Sequence, residues 1–329
     1  MRPILVIPLF IAGVGLSFSA LQGLKRPSAS IPQVIAAPAK PITAPQPAAI
    51  SLPIQPEQPI SASGRRYPSV PSDPKEAATL LMAVETALRD PITADQSLPD
   101  LGHQQQVIYR VLSADKARSQ QVLTHLEPRW RSVAERHLAA RREFLRMSRG
   151  RGPSMLPAWR IIQPEPADQL LAHYRKAEAA TGIEWEVLAA VNLVETGMGR
   201  IDGISVANAH GPMQFLPTTW NEPGIGKGNI RDPHDAIQAA ARYLVRRGGL
   251  KDIRQGLWGY NNSDYYGRAV LLYASLMKED PMAFRGLYHW EIHFNADVGD
   301  LWLPVGYHET RRISVQDYLR RHPASVAPS

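Results

Sequence analysis

The sequence predicts a mainly α fold: an all-helical domain with a groove, preceded by a helical accessory region and followed by a small β-hairpin. Three observations lead there. Apolar residues recur at helical spacing in several separate runs, each opened by a capping residue and closed by Gly or Pro. Alternation with period two is confined to one stretch past Pro281. A carboxyl residue, Glu195, ends an apolar helical run beside a long Gly-rich segment, which gives helices packed around one core an open side.

The chain of 329 residues can hold one sizeable core plus appendages. Its first element, residues 1–24, has Arg2 ahead of an uncharged stretch from Pro3 to Leu24, with an apolar heart from Ile4 to Leu16 and small residues at Ser17, Ser19 and Ala20. This is the layout of a secretory signal, so export to the cell envelope or beyond is expected. The stretch is also nearly long enough to span a bilayer, and Phe18 spoils the small-x-small pattern for cleavage after Ala20 while cleavage after Ser19 fits. A cleaved signal peptide and a retained membrane anchor therefore both stay open. Residues 25–72, dominated by Pro, Ala, Ser, Ile and Gln without any period, cannot bury enough apolar surface to offset chain entropy and read as a disordered linker.

Residues 73–152 form the helical accessory region. Asp73-Pro74-Lys75-Glu76 is an N-cap with Pro first and Glu third, and Leu80, Leu81, Val84 and Leu88 follow at helical spacing up to Asp90-Pro91. A later segment sets Trp130, Val133, His137 and Phe144 among many Arg, a face that suits either water or an anionic polymer. Gly150-Arg151-Gly152-Pro153 breaks the pattern, and residues 153–282 form the main domain. Its helices run from about Ala167 to Ala180, from Glu184 to Glu195-Thr196-Gly197, from Asp232-Pro233 to Gly248-Gly249, and from Tyr265 to about Lys278. Residues 283–329 add the hairpin, Trp290 to Phe294 and Leu301 to Leu303 around a turn at Asn295 to Asp300, and a tail.

No cysteine is present, which excludes disulfides, a lipidated N-terminal Cys and thiolate chemistry. A net charge of +7 and a pI near 9.7 suit an anionic partner such as a cell-wall polymer, a membrane surface or nucleic acid, and the export signal argues against the last.

Glu195 is the candidate general acid. Leu188, Val191 and Leu193 imply a weakly solvated carboxyl, and the C-terminal end of a helix presents partial negative charge; both favour the protonated form. A Glu at an exposed helix end is the plain alternative. Val194-Glu195-Thr196, Gly211-Pro212-Met213-Gln214-Phe215 with Pro217-Thr218-Thr219-Trp220, and Gly259-Tyr260-Asn261 occur in that order, with Asp232-Pro233-His234-Asp235-Ala236 between the last two. Over residues 160 to 280 this resembles the soluble lytic transglycosylase (SLT) family, which has a goose-type-lysozyme-like fold and cleaves peptidoglycan glycan strands. Residues 75 to 307, with the Leu303-Pro304-Val305-Gly306-Tyr307 ending, are similar to exported transglycosylase-like proteins of actinobacteria. Thr196, Pro212 and Gly259 depart from the residues commonest in the family, where Ser, Leu and Ala stand.

The resemblance implies that Glu195 is the sole catalytic acid/base, that Gln214 hydrogen-bonds the sugar, that Tyr260 contacts the catalytic carboxyl, and that Asn261 and Met213 border the glycan. Thr196 keeps the family's hydroxyl, and Trp220, placed after the glutamine-bearing loop, is the best of Trp185, Trp220 and Trp258 for stacking on a sugar. It further implies peptidoglycan strands as partner, no cofactor and no metal, and a monomer is expected. Asp202, if it faced the cleft, would orient a water and turn the reaction into hydrolysis; a non-catalytic wall binder is the other alternative. Asp232 reads as an N-cap with Asp235 at the third helical position. Gly224-Ile225-Gly226-Lys227-Gly228 lacks the Ser or Thr and the preceding strand of a phosphate loop. His289, Glu291 and His293 share one strand face and read as a polar hairpin face, with metal ligation the lesser alternative. His210 reads as a loop residue without a role.

Overall fold

The structure, a computed structural model, describes residues 52, 59–61, 64–147 and 152–326. The proposed signal or anchor and most of the linker lie outside these residues. No helix among the described residues is long and apolar enough to cross a membrane.

Twelve α-helices form among the described residues, with three two-stranded antiparallel sheets. The accessory region contributes α1 (Pro74–Arg89), α2 (Leu98–Ala114), α3 (Lys116–Thr124) and α4 (Pro128–Met147). Helix α1 begins as its sequence dictates: the Asp73 side chain accepts from the Glu76 N–H at 2.9 Å, and Pro74 fills the first position, where no N–H is needed. The short strands β1 (Met155–Leu156) and β2 (Trp159–Ile161) follow, then α5 (Ala167–Thr181), α6 (Trp185–Thr196), β3 (Ile201–Gly203) and the single turn α7 (Pro217–Trp220). Helix α8 (Pro233–Arg246) is capped by Asp232, whose side chain accepts from the Asp235 N–H. Next come α9 (Ile253–Tyr260), α10 (Asp264–Glu279) and α11 (Ala283–Tyr288). The hairpin β4 (Ile292–Ala296) and β5 (Gly299–Leu303) pairs Phe294 with Leu301, and β6 (Ile313–Ser314) and α12 (Val315–Arg321) close the chain. Helices α9, α11 and α12 and the β2–β3 pair are additions to what the apolar periodicity predicts; each is only six to eight residues long or, for the strands, three, which gives little room for a clear stripe.

Helix α6 is apolar on every side, and ten of its residues are buried, so it lies at the centre. Helices α5, α8 and α10 surround it, and α4 lies along α10, where the rings of Phe144 and Tyr273 stack at 6.4 Å. One apolar core runs from Ala77 in α1 to Trp290, so the accessory helices share it with the helices around α6. The hairpin builds a second core: Ile292, Phe294, Leu301 and Leu303 pack with Leu156, Trp159, Tyr307 and Tyr318.

The end of the sequence-predicted linker is held in place. Tyr67 is buried and its hydroxyl donates to Asp300 at 2.9 Å, Arg65 pairs with Glu291 at 2.6 Å, and Gln104 donates to the Ser69 carbonyl. The aromatic ring and the guanidinium supply what the surrounding Pro, Ala and Ser lack.

Candidate active site

Helix α6 delivers Glu195 in its last turn and stops two residues later. Gly197 takes a left-handed conformation at φ 61°, and a Cβ there would stand 2.6 Å from the Ile292 side chain, so only glycine serves at this stop. The Glu195 carboxyl is buried, 5% exposed, at the floor of a cavity of about 1040 Å³. Its Oε1 accepts from the Tyr266 hydroxyl at 2.7 Å, and its Oε2 has no partner among the described residues. Burial drives the carboxyl pKa well above its ordinary value, only partly opposed by the Tyr266 hydrogen bond, and so favours the protonated form that a general acid needs.

The second wall comes from the loop after β3. Gly211 has φ 72°, and a Cβ would fall 1.9 Å from the Ile230 carbonyl, so the close chain crossing demands glycine. Gln214 follows in a left-handed conformation at φ 49°, uncommon for a residue with a side chain. Its Nε2 donates to the Gly211 carbonyl at 2.9 Å, while its Oε1 has no protein partner among the described residues, and the side chain lines the cavity with Glu195.

Of the other predicted site residues, none lines the cavity. The phenol on the catalytic-candidate carboxyl is Tyr266, not Tyr260. Tyr260 donates instead to the Met213 carbonyl at 2.8 Å, and its ring lies parallel to that of Tyr266, 6.4 Å away. Met213 is fully buried and packs in the core. Thr196 is also fully buried; its hydroxyl donates to the Pro212 carbonyl at 2.6 Å and accepts from the Gly199 N–H at 3.0 Å. With Asn192, whose Nδ2 donates to the same carbonyl at 2.8 Å, it clamps the Gln214 loop to α6. Trp220 packs edge-on against Phe215, 5.6 Å between centroids, with Gly226 lying against its ring. Asn261 is buried at the end of α9, with neither amide atom partnered among the described residues. These side chains support the site rather than face it.

Tyr266 is not among the residues the sequence singles out; it begins the buried stripe of α10, Tyr266, Val270, Tyr273 and Met277. The available signal was chemical: a fully buried tyrosine needs a partner for its hydroxyl.

The remaining carboxylates around the cavity differ from Glu195. Asp202 lies outside it on β3, taken by Arg160 at 3.0 Å and Arg231 at 3.3 Å. Glu291 is paired with Arg65, and Asp300 accepts from Arg110, Tyr67 and His293. His289, Glu291 and His293 do not converge: His293 Nδ1–H donates to Asp300 at 2.8 Å, and its Nε2 faces His103 Nε2 at 3.1 Å. Asp232, His234 and Asp235 do come together, but Asp232 caps α8 and Asp235 accepts from the Asn229 N–H.

Residues 173–265 match the family model described as the transglycosylase SLT domain. Over this segment the chain is similar to that domain. The helical architecture agrees with the lysozyme-like form of that family, and the match supports a cell-wall activity of the lytic transglycosylase type with peptidoglycan as the bound polymer. Neither the curated proteins nor the solved structures gave a match. The matched SLT segment contains Glu195 and Gln214 but ends one residue before Tyr266. The other cavity walls, from α2, α4 and β4, lie outside the SLT segment.

Proposed function

We propose that this protein is a peptidoglycan lytic transglycosylase that cleaves the MurNAc-β-1,4-GlcNAc bond and leaves a 1,6-anhydro-MurNAc end, with Glu195 as its single general acid/base. One observation carries the reading: Glu195 is a buried carboxyl without a cation among the described residues, while Glu291 and Asp300, which line the same cavity, are each paired with an arginine. In the first step the Glu195 proton passes to the glycosidic oxygen as the C1–O bond breaks, and the departing GlcNAc keeps that proton as its 4-hydroxyl. The carboxylate then takes the proton from the MurNAc 6-hydroxyl, whose oxygen closes on C1. No water is consumed, and Glu195 ends as it began, protonated. In this reading Gln214, whose side chain lines the cavity, accepts a hydrogen bond from the sugar through Oε1.

Inversion or retention by hydrolysis calls for a second carboxylate opposite the acid. Asp202, the residue sequence favours for that role, is engaged by two arginines outside the cavity, which supports the water-free route. With an exported chain, held by its N-terminal segment or released, the enzyme acts on the outer side of the cell membrane.

The test is the mass of fragments released from purified peptidoglycan by the full chain. Anhydro-muropeptides are expected. Fragments one water heavier would mean a muramidase, and retention on the wall without fragments would mean a binding protein. Glu195→Gln, nearly isosteric, is expected to bind the polymer while losing at least about 10²-fold in rate.

A further inference from the structure

The lining of the cavity includes a cation, Arg141, that has no ion-pair partner among the described residues. Arg141 stands on α4, which is fixed along α10 by the Arg268–Glu143 ion pair at 2.8 Å and by donation from Arg136 to the Ser275 carbonyl at 3.3 Å. Its side chain is enclosed by neighbours yet partly open to the same cavity that Glu195 lines. Among the described residues the guanidinium makes no hydrogen bond or ion pair, and its Nε is buried without a partner.

The charges around it are already matched. Arg110 and Asp300 form a two-pronged pair, Arg65 takes Glu291, and Arg118 is used by the carbonyls of Val70 and Pro71. Asp300 also accepts from Tyr67 and His293, and it acts on Arg141 through space, with no hydrogen bond or ion pair between them. Burial, with repulsion from Arg110, lowers the Arg141 pKa to about 10, so the group is still a cation at neutral pH. An enclosed cation is costly unless an anion joins it, and an arginine fork suits a carboxylate.

Its position relative to the carboxyl at the other end is set by α10. Tyr266, which holds Glu195, and Tyr273, which lies within electrostatic reach of Arg141, are seven residues apart on that helix, roughly 10 Å along its axis. Leu145, one helical turn beyond Arg141 on α4, and Phe294 also line the cavity and offer apolar surface for aliphatic side chains.

We propose that Arg141 receives a carboxylate of the peptide stem carried by the glycan strand, so that the accessory helices read the stem while the SLT domain cuts the sugar chain. This rests on the function proposed above. The test compares kcat/KM of the full chain on glycan strands with intact stems and on strands stripped of stems by an amidase. The wild type is expected to favour stem-bearing strands through a lower KM, and Arg141→Gln to reduce that preference roughly tenfold, about 1.4 kcal/mol. Arg141→Lys, which keeps the charge and loses the fork, is expected to fall between them, and it decides the matter if the Gln variant does not fold. An absent preference in the wild type, or an undiminished one in both variants, overturns the proposal. If the wild type releases fragments from neither substrate, the enzymatic reading fails separately. Calorimetric binding of a soluble muramyl peptide then reads Arg141 directly: weaker binding by Arg141→Gln supports its role, and equal binding refutes it.

Discussion

Glu195 and Asp300 line the same cavity, and enclosure acts on both by disfavouring the charged form, yet their pKa values move in opposite directions. At Glu195 burial meets only a phenol, and the carboxyl pKa is pushed well above the ordinary Glu value. At Asp300 burial also pushes the pKa up, but Arg110 and then His293 outweigh it and hold the group well below the ordinary carboxylate range. Burial also acts on the histidines there: with help from Arg110 it lowers His293, and with help from His293 it lowers His103 well below the ordinary histidine value. The difference teaches that enclosure alone does not make an acid. What makes one is enclosure without a cation.

The largest effect is expected from breaking the compensated side. Arg110→Met strips Asp300 of its bidentate partner, and denaturant unfolding is expected to show a loss of about 3 kcal/mol, the lower part of the range for an uncompensated buried charge because both side chains keep some exposure. Sharpening the uncompensated side has a smaller effect. Tyr266→Phe removes the one hydrogen bond that favours the Glu195 carboxylate, so its pKa rises further; the alkaline limb of the pH–rate profile is expected to move to higher pH, with kcat down roughly tenfold, about 1.4 kcal/mol. The smallest effect is on stability against pH. Glu195 releases its proton later in the folded chain than in the unfolded one, so its contribution is fully present below the ordinary Glu range and is lost as pH rises toward the folded value. Asp300 is the reverse, contributing above the ordinary Asp range and losing that contribution as pH falls. Thermal scans of Glu195→Gln should therefore show a higher midpoint than wild type at pH 7.5, with the two converging as pH falls toward about 4.3.

Much of the helical framework was legible in the sequence because its signals are local. The caps at Asp73 and Asp232 and the stripe of α10 each stand within a few residues of the element they define. The same holds for the apolar run that ends at Glu195. What sequence could not supply was the partner of each polar group. Tyr260 and Tyr266 both lie near Glu195, and only the packing of α10 on α6 decides which phenol reaches it, 71 residues along the chain. Thr196 and Met213 sit inside motifs and read as facing the sugar, but helix phase turns Thr196 toward the Pro212 carbonyl and buries Met213 in the core. The hairpin looked like an appendage because nothing local says that Glu291 and Asp300 meet Arg65 and Arg110, 226 and 190 residues away.

The central claim is that Glu195 is neutral where Asp300 is charged, in one cavity. A ¹³C NMR titration of the side-chain carboxyls, with Glu195→Gln and Asp300→Asn used to assign the two resonances, measures this directly. The expected result is a Glu195 midpoint well above the ordinary Glu value and an Asp300 resonance that stays ionised below the ordinary Asp value. A Glu195 carboxyl that titrates with the exposed glutamates, near about 4.3, would contradict the account.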